Sequence, residues 1–396
     1  TSIIIYPIIL DILLLNLYIW RFTKVSRNRG AIMALVAIDL FCGAGGTTKG
    51  LCSVGIDVRA GVEIDPIASG TYSYNNPGTL LINDDIKNIS GDCLIDSINL
   101  NDHDMLLLVA CPPCQGFSSI GKGDSLDERN FLIFEYLRLI DEIRPPFILM
   151  ENVSGIIRKK ENNIFSKFID NLKIEYDIKY EILNAADYGV PQIRKRMVLH
   201  GVRRDLANQN NITISLPQPT HSKNGDNLLR QWNTVNVIMD LPPLRAGESY
   251  VIDEGDNPRV IYNHFCNNLS DINLRRIRYI REHGGSRSCL PEELVLNCHK
   301  KISGHGDVYG VLALDKPSVT ITAGCMSYTK GRFGHPTQDR ALSAREAARL
   351  QSFPDNYNFL GNKVQIARQI GNAVPVELSA ASGRYFLDLY NQLRGV

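Results

Sequence analysis

The sequence predicts an α/β fold, in which a mostly parallel sheet carries helices on both faces and a smaller, irregular β-rich domain follows. Three observations support this prediction. Apolar runs of strand length, beginning with Leu35–Phe41, alternate with helical patterns over the first half of the chain. The first run leads into a glycine-rich turn, Cys42–Gly46, as in nucleotide-binding βαβ units. From about Arg203 the alternation stops, and residues to about Arg340 are richer in Asn, Gly, Pro and His.

Composition sets outer limits on the class of protein. The chain has 396 residues, of which 44% are hydrophobic and 21% are charged, as in ordinary folded proteins. Its formal net charge is +1, so contact with a polyanion has to come from local basic patches. Nine cysteines, an odd number in a long chain, indicate free thiols in a reducing compartment. Cys111 and Cys114 have C-x-x-C spacing but no second ligand pair, so we expect no metal.

The first residues form an apolar run, Ile3 to Trp20, followed by several basic residues. One interpretation is a membrane anchor with positive flanking charge. The other is an extension upstream of the fold, because Met33 stands just before the first strand pattern. We favour the second interpretation and expect residues 1–32 to lie outside the fold.

Acidic residues follow the second and third strand patterns. The run Val58–Ile64 ends in Glu63-Ile64-Asp65, and an acid at this strand tip binds ribose hydroxyls in nucleotide-binding folds. The glycine turn lacks the G-x-G-x-x-G spacing, which favours a nucleoside cofactor without a pyrophosphate. Asp85, after the third strand, could accept a hydrogen bond from an adenine amino group, although an Asp at such a place is also a common helix N-cap.

A thiol and a carboxylate follow two further strand patterns. The run Met105–Val109 leads to Cys114, which stands behind two prolines that stiffen the turn. The run Phe147–Met150 leads directly to Glu151. Because the carboxyl ends of parallel strands share one crevice, we expect Cys114 and Glu151 to face the same substrate. The polar, glycine-rich segment 116–130 has the composition of a mobile loop.

Alternation at the start of a later strand pattern places Gln192, Arg194 and Arg196 on one face. Long polar side chains are costly to bury without an anionic or acceptor-rich partner, so this face is either a binding surface or a solvated edge. Further on, Ser318–Thr322 has the pattern of a short strand. Ser343 and Glu346 form a Ser-x-x-Glu capping box, which predicts a helix over Ser343–Ser352.

Six motifs, in this order, resemble the cytosine-5 DNA methyltransferase family, which uses S-adenosylmethionine. They are Asp39–Gly46, Pro112–Gln115, Glu151–Val153, Gln192–Arg196, Arg345–Pro354 and Gly371–Pro375. The resemblance extends from Met33 to the end of the chain. One departure is small: the third family motif reads Gly-Asp-Ile, and here Asp84 stands in place of the Gly.

The resemblance implies a Rossmann-like methyltransferase domain at residues 33–203 and a target-recognition domain at residues 204–365. A C-terminal helix, residues 366–396, would return to complete the large domain. The DNA cleft would lie between the two domains.

The resemblance also assigns roles to the candidate residues. Cys114 would be the nucleophile that adds to carbon 6 of cytosine, and Glu151 would hydrogen-bond ring nitrogen 3 and the exocyclic amine. Arg194 would contact the base carbonyl oxygen, and Arg196 would position the carboxylate or the loop. The base would have to leave the duplex stack to be reached. The implied DNA contacts are Gln115, Ser118, Arg129 and Gln192.

In the implied cofactor site, Phe41 would lie near the sulfonium, Glu63 would bind the ribose hydroxyls and Asp85 the adenine amino group. Asn372 and Val374 would close the site from the C-terminal region. The full implied set is Phe41, Gly43, Ala44, Gly45, Gly46, Glu63, Ile64, Asp85, Pro113, Asn372 and Val374.

The favoured hypothesis is a monomeric methylase of a prokaryotic restriction–modification system that acts on double-stranded DNA. It would work in the cytoplasm, associated with the nucleoid, beside an endonuclease that acts separately. Two alternatives remain at this point: an RNA cytosine-5 methyltransferase on the same fold, and a catalytically inactive DNA-binding homologue.

Overall fold

A computed structural model describes residues 34–113, 128–157, 163–226, 228–251, 259–299 and 307–395. Residues 1–32, Cys114, Gln115 and Ser118 lie outside these ranges. The central sheet has seven strands in the order β3-β2-β1-β4-β5-β7-β6. Their bounds are β1 Leu35–Leu40, β2 Asp57–Val62, β3 Leu80–Ile82, β4 Met105–Ala110, β5 Phe147–Val153, β6 Tyr176–Asn184 and β7 Lys195–Arg203.

The strand pairing confirms the prediction of a mostly parallel sheet. Strand β1 pairs in parallel with both β2 and β4, and parallel pairing continues to β3 on one side and to β5 on the other. Strand β7 is inserted between β5 and β6 and runs antiparallel to both. The ends of β1, β2, β4 and β5 and the beginning of β7 therefore meet at one edge.

Helices pack around this sheet and continue into the second half of the chain. They are α1 Gly46–Ser53, α2 Pro66–Asn75, α3 Gly91–Ser97, α4 Leu132–Ile143, α5 Asn163–Glu175, α6 Arg204–Asn210, α7 Asp271–Glu282, α8 Ala344–Arg349, α9 Lys363–Asn372 and α10 Val376–Arg394. The predicted capping box of α8 is confirmed, because Ser343 and Glu346 each accept a hydrogen bond from the other's backbone N–H.

Apolar side chains from β1, β4 and β5 form one core with helices α4 and α5. A second core gathers residues from Val235 to Ile370. It also contains Ala44 of the glycine turn and Val376 of α10. The second core therefore packs directly against the turn that follows β1.

The second half of the chain has little regular β structure in its described part. Strands β8 (His221–Ser222) and β9 (Arg230–Gln231) have two residues each. The strand predicted at Ser318–Thr322 is wrong, since this segment makes only an isolated bridge between Ser318 and Gln192. The domain limits 33–203, 204–365 and 366–396 stay a prediction. Across the described ranges, no helix has the length and apolar character needed to cross a membrane.

Candidate active site

The turn after β1 has an unusual backbone. Phe41 and Gly43 both have positive φ angles, of 57° and 54°. A Phe in this left-handed region is strained, and such strain is concentrated at functional sites. A Cβ atom added to Gly43 would meet no atom within 4 Å, so this part of the turn faces open space. The backbone at Gly43 is therefore accessible to a ligand.

The other side of the same turn is packed closely. A Cβ added to Gly46 would lie 2.4 Å from the carbonyl oxygen of Val374. The hydroxyl of Tyr357 donates a hydrogen bond to the carbonyl of Ala44, and Ser379 Oγ donates to the carbonyl of Thr47 at 2.9 Å. Residues more than 300 positions away thus hold the turn in place.

The acid at the tip of β2 is fixed by backbone donors. The N–H groups of Gly43 and Asp65 donate to the two carboxylate oxygens of Glu63, at 2.9 and 2.8 Å. Burial raises the pKa of Glu63, and these two hydrogen bonds oppose the rise. The carboxylate is therefore held beside the open face of the glycine turn, next to Ile64, which is largely exposed.

The remaining cofactor candidates differ in their surroundings. Asp85 accepts a hydrogen bond from the N–H of Lys87 and so caps a short 3₁₀ helix, which was the alternative interpretation of this residue. Asn372 is exposed at the end of α9, and Val374 is buried against the glycine turn. The fold thus brings Val374 to Gly46, and the roles of Asp85, Asn372 and Val374 in a cofactor site stay predictions.

The ends of β4 and β5 are tied together. Asn152 Nδ2 donates to the carbonyl of Pro112 at 3.0 Å, so the segment that leads to Cys114 starts beside Glu151. Pro113 is the last described residue before Cys114. Cys111 lies 3.6 Å from Thr47 Oγ1, and burial raises the pKa of its thiol well above the usual value. Burial therefore favours the protonated form of the Cys111 thiol.

Glu151 forms an ion pair with the antiparallel strand β7. Arg196 Nε lies 2.9 Å from Glu151 Oε1, and both side chains are 14% exposed. Burial raises the pKa of Glu151, whereas Arg196 and Arg194 oppose the rise. Glu151 Oε1 has no well-aligned hydrogen bond within the described residues. It therefore keeps hydrogen-bonding capacity for another group.

Arg194 has a different environment from Arg196. It is 2% exposed, and its guanidinium donates to the backbone carbonyls of Ile321, Gly371 and Ala373 at 2.7 to 3.1 Å. The acceptor-rich partner expected for this face is thus the chain itself. In this conformation Arg194 holds the turn after α9, and contact with a base is not part of its environment.

The assignment of Gln192 as a DNA contact is corrected by the structure. Gln192 is 0% exposed. Its amide donates to the carbonyl of Leu350 and to Gln351 Oε1, and its own oxygen accepts from the N–H of Ile321. A fully buried, internally bonded amide has no surface for DNA. Arg129 is exposed, and its assignment as a DNA contact stays a prediction.

The comparisons with known proteins agree with this geometry. The model of the C-5 cytosine-specific DNA methylase family matches residues 35–385. The chain belongs to this family. It is similar to the type II methylase M.HgiDII of Herpetosiphon aurantiacus, with 39% identity over 90% of this chain and 97% of the relative. It is also similar to the type II methyltransferase M1.HphI of Haemophilus parahaemolyticus, with 34% identity over 93% of each chain.

Solved structures of methyltransferases share the fold. A protein described as a DNA modification methyltransferase from an E. coli prophage has 26% identity and a TM-score of 0.69, covering 90% of this chain and 100% of its own. The Dnmt2 methyltransferase of S. pombe has 18% identity and a TM-score of 0.55 over 90% of this chain and 99% of its own, which shows a common fold.

In this C-5 cytosine methylase, two residues near the site were not singled out from the sequence. Gln351 donates to the carbonyls of Ile370 and Ala373, and Tyr357 donates to Ala44. Gln351 belongs to the motif Arg345–Pro354, and a Gln directly after an apolar stretch could have been predicted to make a buried hydrogen bond. Within the described ranges no cluster of three or more His, Cys, Asp or Glu side chains is placed to hold a metal ion.

Proposed function

We propose that this methylase transfers a methyl group from S-adenosylmethionine to carbon 5 of a cytosine that is flipped out of double-stranded DNA. The observation that carries the proposal is the half-satisfied Glu151–Arg196 pair, tied through Asn152 to the strand end that leads to Cys114. A carboxyl group with a spare acceptor matches the polar edge of a pyrimidine ring.

The residues around the glycine turn fit an adenosyl cofactor without phosphates. Gly43 leaves open space, and the Glu63 carboxylate beside it is fixed by two backbone N–H groups. The remaining lone pairs of Glu63 can accept hydrogen bonds from two ribose hydroxyls. We assign Asp85 to the adenine amino group, and Asn372 and Val374 to the wall on the C-terminal side. When bound, the cofactor supplies an electrophilic methyl group.

Phe41, half-buried at the start of the turn, completes this assignment. The face of an aromatic ring attracts a cation, so a Phe beside a sulfonium stabilises it. Its positive φ angle directs the chain away from β1 at the point where the glycine turn begins.

Carbon 5 of cytosine is a poor nucleophile until carbon 6 is attacked. The Cys114 thiolate would form a bond to carbon 6, which places electron density on carbon 5 and on ring nitrogen 3. Glu151, whose pKa is raised by burial, would donate a proton to nitrogen 3 and accept a hydrogen bond from the exocyclic amine. Transfer of the methyl group to carbon 5 would leave the donor as a neutral thioether. A solvent base would then take the carbon 5 proton, nitrogen 3 would return its proton to Glu151, and the bond from carbon 6 to sulfur would break to release the Cys114 thiolate, which restores the aromatic ring.

We assign the two arginines to different tasks. Arg196 pairs with Glu151 and is partly exposed, so it can reach the base carbonyl oxygen. Arg194 is a positioning residue, because its donors are directed at three backbone carbonyls. These assignments exchange the roles that the sequence had suggested for the two residues.

The names of the relatives favour DNA over RNA as the substrate, since several are type II methyltransferases. The presence of Cys114, Glu151 and Arg196 in this sequence argues against an inactive binding protein. We further propose that the protein acts as a monomer in the cytoplasm of a prokaryotic cell, on the nucleoid. A cognate endonuclease would act separately on the same DNA sequence.

The test uses full-length protein, tritiated S-adenosylmethionine and two substrates, duplex DNA and transfer RNA. We expect label in DNA only, and bisulfite sequencing of the product then identifies the target motif. Duplex DNA with 5-fluorocytosine at that target should form a covalent adduct with the wild type and none with Cys114→Ser, because fluorine cannot leave as a proton does. Label in RNA alone, or in neither substrate, contradicts the proposal.

A further inference from the structure

An ion pair joins the two sides of the proposed cofactor site. Arg368 Nη2 on α9 contacts Asp65 Oδ2, which follows β2, although the two residues are 303 positions apart in the chain. We propose that this pair is a clasp that fixes the distance between the Glu63 strand tip and the turn carrying Asn372, and that it thereby raises the affinity for the cofactor. The inference rests on the proposed function, since it takes both elements as walls of one site.

On the first side, Asp65 is bonded in three directions. Its N–H donates to Glu63 Oε1, its Oδ1 accepts from the N–H groups of Ile67 and Ala68, and its Oδ2 contacts Arg368. Asp65 is thus both the N-cap of α2 and a holder of the Glu63 carboxylate. A displacement of Asp65 therefore displaces the group assigned to the ribose.

On the second side, Arg368 stands four residues before Asn372 on α9, so the two side chains share one face of the helix. The segment before α9 is already anchored to α2. The N–H of Leu360 donates to Thr71 Oγ1, and Asn75 exchanges two hydrogen bonds with the backbone of Asn358. The ion pair adds a link nearer the end of α9 that carries Asn372.

The pair is placed to affect ligand binding more than folding. The side chains of Arg368 and Asp65 are 51% and 31% exposed, and partly solvated ion pairs contribute little to stability. The walls that it connects, by contrast, have to match the width of one small molecule. A slight change in their separation alters several cofactor contacts at once.

The experiment is a double-mutant cycle with Arg368→Gln and Asp65→Asn. Asn keeps an acceptor for the α2 cap but loses the charge. We expect each single variant to raise the KM and the calorimetric Kd for S-adenosylmethionine about two- to fivefold, with kcat unchanged at saturation. The double variant should be no worse than either single variant. The effect should shrink at about 0.5 M salt, where exposed charges are screened.

Arg384→Gln is the matched control. Arg384 is 47% exposed on α10, and its ion pair with Glu377 is long, at 3.7 Å. This variant should leave KM and Kd at the wild-type values. Thermal unfolding of all variants should give the wild-type midpoint, which separates a positioning role from a structural one.

Three results would overturn the clasp. Arg368→Gln could leave KM and Kd unchanged, or it could weaken binding equally in the wild-type and Asp65→Asn backgrounds, which would show direct contact of Arg368 with the cofactor. It could also lower kcat alone. Calorimetry tests the clasp even if no methyl transfer is found, so failure of the proposed reaction can be distinguished from failure of the clasp. A wild type that does not bind S-adenosylmethionine contradicts both proposals.

Discussion

Arg196 reaches Glu151 diagonally across two antiparallel strands, with Nε 2.9 Å from Oε1. In the register of β5 and β7, Arg196 lies opposite Val153, and Glu151 lies opposite Val198. A parallel strand in the place of β7 would begin at the far edge of the sheet. Because β7 is reversed, its first residues lie where β5 ends, and a cation is delivered to an edge otherwise built from strand ends.

Glu151→Gln should lower kcat by about 10²- to 10³-fold, because Gln cannot donate a carboxyl proton to ring nitrogen 3. Binding of S-adenosylmethionine should be unchanged. Single-turnover methylation of duplex DNA measures the chemical step. Glu181→Gln is the control, since Glu181 is an exposed residue that forms an ion pair with Lys179. A near-native rate for Glu151→Gln would remove this residue from the mechanism.

Arg196→Gln should shift the pH dependence of the single-turnover rate. Arg196 lowers the pKa of Glu151 in opposition to burial, so its removal raises that pKa further. The limb of the pH–rate profile that belongs to Glu151 should therefore move to higher pH. A limb that stays in place, or one that moves to lower pH, would show that Arg196 does not lower the pKa of Glu151.

Arg194→Met should destabilise the fold, because it leaves the carbonyls of Ile321, Gly371 and Ala373 buried without their donor. Unsatisfied buried groups cost about 1–3 kcal/mol each, so we expect a loss of at least about 3 kcal/mol in urea unfolding. Arg204→Met is the comparison, since Arg204 also donates to two carbonyls but is solvent-exposed. A change there should stay below about 1 kcal/mol. Equal losses of stability in the two variants would contradict the role of Arg194 as a buried donor to these carbonyls.

Asp39→Asn should change how stability depends on pH. Asp39 is fully buried, and burial raises its pKa to about 7, against the hydrogen bonds from Thr48. The native state therefore holds a proton that the unfolded chain releases near pH 4, and stability falls as pH rises from about 4 to 7. This fall is of the order of 4 kcal/mol for one group and should be absent in the variant. Urea unfolding at pH 5 and pH 8 should capture about 3 kcal/mol of this fall, at about 1.36 kcal/mol per pH unit up to about pH 7, and an unaltered difference in the variant would disprove the assignment.

Gly46→Ala should weaken binding of S-adenosylmethionine at least about tenfold and destabilise the fold by about 1–3 kcal/mol. The new Cβ would lie 2.4 Å from the carbonyl of Val374, so either the turn or the start of α10 has to move. Gly78→Ala is the control, because a Cβ there meets no atom within 4 Å. Calorimetry and thermal unfolding test both effects. If Gly46→Ala kept the wild-type Kd and unfolding midpoint, the close contact between Gly46 and Val374 would not be required.

Local sequence patterns were sufficient to predict which residues lie at the ends of the strands. The sequence placed Glu63 and Glu151 at the tips of strands because each follows an apolar run directly, and the structure has both at one edge. The environment of Gln192 was out of reach, since Leu350 and Ile321 are more than 120 positions away. A short alternation of polar residues has the same sequence pattern whether its side chains contact solvent, a phosphate or a distant backbone carbonyl. The same reason explains Ser318, where an apolar alternation produced one bridge and no strand.

The hydrogen bond from Ser379 to Thr47 connects positions 332 residues apart. During translation, the glycine turn emerges early and has to wait for helix α10 before it can close. We therefore expect a chain that lacks α10 to bind S-adenosylmethionine weakly, because the turn assigned to the cofactor would lose this hydrogen bond.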